Sequence, residues 1–102
     1  MSYPNSRLLE IYREHMRPAA DPDLVTLVRW AERIETFTHF QVARNGWSYE
    51  QAGSLADEVR ELLVQLREDW PVWVVETPQP HGTELSQHIK APTFELAHQF
   101  ID

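Results

Sequence analysis

Apolar residues recur at spacings of three and four through the middle of this chain. Between Gly46 and Trp70 the stripe is Ala52, Leu55, Ala56, Val59, Leu62, Leu63, Leu66 and Trp70. That period predicts one helix with a single buried face, ending near Asp69. Asn45-Gly46 before it suits a helix C-terminus, because both residues tolerate the left-handed conformation. Ser48 followed by Gln51 reads as a capping box. Upstream, Leu24, Leu27, Ala31, Ile34, Thr38, Gln41 and Val42 form a matching stripe that Trp30 and Phe37 widen. Asp21-Pro22 is the expected start of that helix. Two striped helices joined by a short turn predict an antiparallel helical hairpin. A first short helix carries Leu8, Leu9, Ile11, Tyr12 and Met16, capped by Asn5 or Ser6 and closed by Arg17-Pro18.

After Pro71 the pattern changes. Val72, Trp73, Val74 and Val75 read as a buried strand. Thr77 to Gly82 reads as a turn. From Thr83 to Ala91 the period is two, with Leu85, Ile89 and Ala91 on one side and Glu84, Ser86, His88 and Lys90 on the other. Pro92-Thr93 opens a final helix with Phe94, Leu96, Ala97, Phe100 and Ile101. The expected order is α-α-α-β-β-α, an α+β domain spanning residues 1–102. A lone two-stranded ribbon is marginal in water, so it must lie on helices or pair with a second copy across an open edge. A homodimer is the expectation.

Charge narrows the choice of partners. The net charge is −7. Residues 1–49 hold six arginines and six acids, so the whole excess lies in residues 50–102, where ten acids face Arg60, Arg67 and Lys90. Such a chain is repelled by nucleic-acid phosphates and suits a protein partner with a basic surface. No stretch approaches the roughly 20 apolar residues of a membrane span. Met1 to Pro4 lacks a signal-peptide pattern, which makes the cytoplasm the expected location.

Candidate chemistry is sparse. There is no cysteine, no G-x-S-x-G elbow and no glycine-rich phosphate loop. The five histidines show no tight ligand spacing. Two acidic pairs stand out, Glu32-x-x-Glu35 and Glu58-x-x-Glu61. With Gly46-Trp47-Ser48 and the run Leu55 to Leu63, they resemble the MazG-like nucleotide pyrophosphohydrolases over residues 28–67. That likeness implies an all-helical, magnesium-dependent enzyme with Glu32, Glu35, Glu58 and Glu61 as ligands. The family's final aspartate is Glu61 here. Helical geometry opposes convergence: at 100° per residue, Glu61 lies about 160° from Val59, and Asp57 and Glu32 also face away from the stripes. A row of Asp57, Glu61 and Glu68 would also suit a mimic of DNA phosphates.

The preferred reading is a small non-enzymatic protein-binding module without metal or cofactor: an inhibitor, adaptor or accessory subunit. Its expected surface uses Phe40, about 140° from the stripe of its helix, and Trp47 in the interhelical turn as apolar anchors. Asp57, Glu58 and Glu61 are the acids expected to steer a basic partner.

Overall fold

A computed structural model describes residues 3–82 and 84–101. The elements are α1 (Tyr3–Met16), α2 (Leu24–Glu32), α3 (Ile34–Asn45), α4 (Tyr49–Arg67), β1 (Val72–Pro78), β2 (Glu84–Lys90) and α5 (Phe94–Gln99). The expected α+β class holds, with one helix more than the stripes suggest. The chain forms two compact units, Met1–Leu66 and Arg67–Asp102, which are described in turn.

The first unit is helical. Helix α1 begins at Tyr3, so Asn5 and Ser6 lie inside it and cap nothing; Pro4 sits in the first turn, where a missing N–H costs little. It ends where Arg17 turns left-handed (φ 48°) just before Pro18. Asp23, not Asp21, caps α2: its carboxylate accepts from the Thr26 N–H at 2.8 Å. Asp21 is held instead by the Arg13 guanidinium at 2.6 and 2.8 Å. The long second helix divides at Arg33 (φ −103°, ψ 22°), whose N–H reaches both the Arg29 and Trp30 carbonyls. No proline or glycine marks the break, and the buried stripe passes through it as Leu27, Ala31, Ile34 and Thr38.

The α3–α4 turn follows its sequence signals. Gly46 is left-handed (φ 74°), the Trp47 N–H closes on the Gln41 carbonyl, and Ser48 Oγ accepts from the Gln51 N–H at 3.0 Å. Helix α4 buries Ala52, Ala56, Val59, Leu62, Leu63 and Leu66, as its stripe requires. Ion pairs and shared depressions match Glu35 to Arg60, and Thr38, His39 and Val42 to Ala52 and Ala56. They likewise match Arg7 to Glu58, and His15 to Trp47. Rising numbers on one helix meet falling numbers on the other, so α4 runs antiparallel to both α3 and α1.

The carboxyls of Asp21 and Asp23 are both held below the usual range, the first by its hydrogen bonds from Arg13 and the second by the Thr26 backbone N–H. A depressed folded-state value adds stability above the ordinary carboxylate pKa, and that stability is lost as pH falls through the depressed value. The thermal midpoint should therefore drop on acidification below about pH 4. Asp21→Asn should flatten part of that slope in melts recorded across the acid range; an unchanged slope would remove the pair as its source.

In the second unit, β1 and β2 pair antiparallel from Val72↔Lys90 to Pro78↔Glu84. The Ala91 N–H donates to the Pro71 carbonyl at 3.2 Å. That bond identifies positions 71 and 91 as a hydrogen-bonded pair, and such pairs alternate along an antiparallel ladder. Trp73–Ile89, Val75–Gln87 and Thr77–Leu85 therefore carry the ladder bonds. Pro78 falls in a pair that needs no N–H, which is why the strand extends into the expected turn. Pro71 cannot return a bond to Ala91, and the Trp73 indole N–H takes its place, donating to the Ala91 carbonyl at 2.9 Å.

One face of this ribbon is covered. Val75, Ala91 and Ala97 are buried, with Trp73, Ile89, Leu96, Phe100 and Ile101 packed around them. Trp70 lies outside α4 and stacks on Phe100 at 6.0 Å. The expectation that Val72 to Val75 are all buried is corrected: Val72 and Val74 are each 53% exposed, because α5 packs on one face of the ribbon and β-strand side chains alternate. Gly82 (φ 82°) closes a turn by donating to the Gln79 carbonyl. Thr83, the expected start of the second strand, lies outside the described residues.

Candidate functional site

Three depressions among the described residues of the helical unit sort the candidate residues. Between α3 and α4, small side chains at Ala52, Gly53 and Ala56 leave a depression of about 240 Å³ beside Thr38, His39, Val42 and the exposed Tyr49. Arg60 also lines it, pairing with Glu35 across the helices and with Asp57 on its own helix at 3.1 Å. Thr38 is buried, and its hydroxyl donates to the Glu35 carbonyl at 3.1 Å.

Between α1 and α4 lies a second depression of about 280 Å³, where Trp47 and Glu58 meet Arg7, Ile11 and His15. Arg7 donates to both Glu58 oxygens, at 3.1 and 3.3 Å, and to Glu10 at 2.8 Å. This pair raises the Arg7 pKa, so the guanidinium is a fixed charge. The Trp47 ring is packed edgewise on His15 at 5.5 Å and on Phe37 at 6.1 Å. It is half-buried, and its cluster continues through Trp30 to Tyr12.

The third depression, about 440 Å³, lies along α2 and α3 and is lined by Thr26, Arg29, Trp30, Arg33, Thr36 and Phe37. No acid lines it. Two aromatic rings line it beside two arginines and two threonines, and the Trp30 indole nitrogen is buried with no acceptor among the described groups. Phe40, 55% exposed, follows Thr36 by four residues and Phe37 by three, so it continues the same helix face. Sequence reasoning placed Trp30 and Phe37 in a core stripe and passed over this cleft. The available signal was Arg29 and Arg33, four residues apart and flanking an aromatic ring.

The sequence-derived surface is thus distributed. Trp47 and Glu58 share the α1–α4 depression. Asp57 belongs to the Arg60 pair, Glu61 is exposed on α4, and Phe40 is exposed one turn along α3 from Phe37 of the cleft. Among the carboxylates of the magnesium alternative, Glu35 pairs with Arg60 and Glu58 with Arg7, and Glu32, Glu35 and Glu61 all lie exposed. A hard cation needs several oxygens on one centre, and among the described residues no three acids or histidines are grouped to hold one. None of the described helices is long and apolar enough to cross a membrane.

Comparison of the chain with models of known families, with curated proteins and with solved structures finds no match. The likeness to MazG-like enzymes therefore rests on its short sequence words alone.

Proposed function

We propose that this chain is a small acidic, non-enzymatic protein-binding module, an inhibitor, adaptor or accessory subunit, that works in the cytoplasm as a homodimer. The observation that carries the reading is Phe40, exposed beside a cleft walled by Trp30 and Phe37. Exposed aromatic side chains next to a ring-lined depression form the kind of apolar patch that protein partners bury. Trp47 adjoins the same region through its ring contact with Phe37. Asp57, Glu58 and Glu61 supply the rim on α4. Arginine pairing tempers two of them, which leaves Glu61 as the strongest candidate for steering a basic partner.

The test begins with a partner captured from an extract of the native host and then purified. Phe40→Ser and Trp47→Ala should speed its release, because apolar anchors govern dissociation. Glu61→Lys should slow association most at low ionic strength, where screening is least. Wild-type kinetics for all three would place the surface elsewhere. Magnesium-dependent turnover of a nucleoside triphosphate, abolished by Glu35→Gln and by Glu58→Gln, would replace the binding module with the enzyme.

A further inference from the structure

Strand β2 pairs with β1 on one side, and among the described residues nothing pairs with its other edge. The ladder assignment fixes which groups that edge offers. Gln87 and Ile89 spend their backbone N–H and C=O groups on β1, whereas Ser86 and His88 direct theirs outward. An edge of this kind is a template for another strand.

The sequence of β2 is complementary to itself read backwards. With a two-fold axis at Gln87, Glu84 stands opposite Lys90 of the second copy, Leu85 opposite Ile89, and Ser86 opposite His88. Each match has a physical consequence. Glu84 and Lys90 are exposed and opposite in charge. Leu85, 48% exposed in one chain, gains an apolar cross-strand neighbour. Ser86 and His88, whose backbone groups face the edge, become the hydrogen-bonded pairs, so the parity of the ladder and the register of the side chains agree. Registers centred on Ser86 or His88 lose the Glu84–Lys90 match and shorten the overlap.

We infer that β2 is a homodimer interface, in which two copies join antiparallel about Gln87 into a four-stranded sheet ordered β1-β2-β2-β1. The inference rests on the homodimer proposed above and names its surface and register. It also gives a two-stranded ribbon, marginal by itself, the strands it lacks.

The register is tested by cross-linking and by charge exchange. The chain has no cysteine, so Gln87→Cys introduces a single thiol. In a non-hydrogen-bonded antiparallel pair the facing Cα atoms lie about 4.5 Å apart, within disulfide reach. Mild oxidation should give covalent dimers of Gln87→Cys and far less of Ser86→Cys or His88→Cys. Glu84→Lys alone, and Lys90→Glu alone, should each weaken dimerisation about tenfold at low salt, since two like-charge contacts replace two attractive ones. Mixing the two variants, or combining both substitutions in one chain, should restore it. Sedimentation gives the readout against the 12.0 kDa monomer mass. A wild-type dimer with no cross-link at Gln87 and no charge effect would overturn this interface and leave the homodimer standing. A wild-type monomer at high concentration would overturn both.

Discussion

Leu62→Ala should destabilise the helical unit by about 2–5 kcal/mol, and Leu63→Ala by a similar amount. Both side chains are buried, at 4% and 7% exposure, on the stripe that α4 turns inward. Truncation deletes apolar contact and leaves a cavity that rigid helices fill only in part. The surrounding buried set on α4 includes Val59 and Leu66, whose contacts with the truncated side chain are lost. The total stability of a domain this size is on the order of 5–15 kcal/mol, so either variant should shift the denaturation midpoint visibly. Val64→Ala is the internal control: Val64 lies on the same helix but is 69% exposed, and its loss should cost little. Chemical denaturation separates the cases. Losses below half a kcal/mol at both leucines would mean that the stripe does not carry the packing assigned to it.

Helix α4 was legible because burial there follows one period without interruption, and the Ser48 cap and Gly46 stop are local signals. Other features depend on partners that no local pattern reveals. The expected cap at Asp21 fails because the helix starts at Leu24 with Asp23 as its cap, while Arg13, eight residues away, holds the Asp21 carboxylate. The division at Arg33 leaves the stripe intact, so hydrophobic periodicity is blind to it. Val72, Trp73, Val74 and Val75 are all strand-forming types, and an unbroken apolar run conceals which face is covered. The fate of the acids was half legible. Helical angles place Glu61 and Asp57 outward, but the Arg7–Glu58 and Arg60–Glu35 pairs join residues 51 and 25 positions apart. Those pairs alter what the surface can do, since a carboxylate already bonded to arginine offers less to a cation or a basic partner. The α2–α3 cleft was hidden for a related reason: Trp30 and Phe37 are large enough both to widen a core stripe and to wall a depression.

Trp73→Phe should cost about 1–3 kcal/mol even though it keeps a ring at the position. The reason lies two residues earlier. Pro71 occupies a ladder position that calls for an N–H and has none, so the carbonyl of the buried Ala91 depends on the Trp73 indole. Removing that donor leaves an acceptor in an apolar setting, and its full desolvation cost is then exposed. Trp73→Ala should cost more, about 3–5 kcal/mol, since it also removes the ring packed near Phe94 at 5.8 Å and the wall it gives to the Val75–Ala97 cluster. The coupling to Pro71 makes the argument testable without relying on a single variant. Pro71→Ala supplies the missing backbone N–H, so the indole becomes dispensable. In a double-mutant cycle, Trp73→Phe should therefore be much less costly on the Pro71→Ala background than on the wild type. Amide exchange at Val75 and Gln87 reports the ribbon directly. Equal costs on both backgrounds would show that the indole acts only through its bulk and that the carbonyl of Ala91 needs no substitute donor.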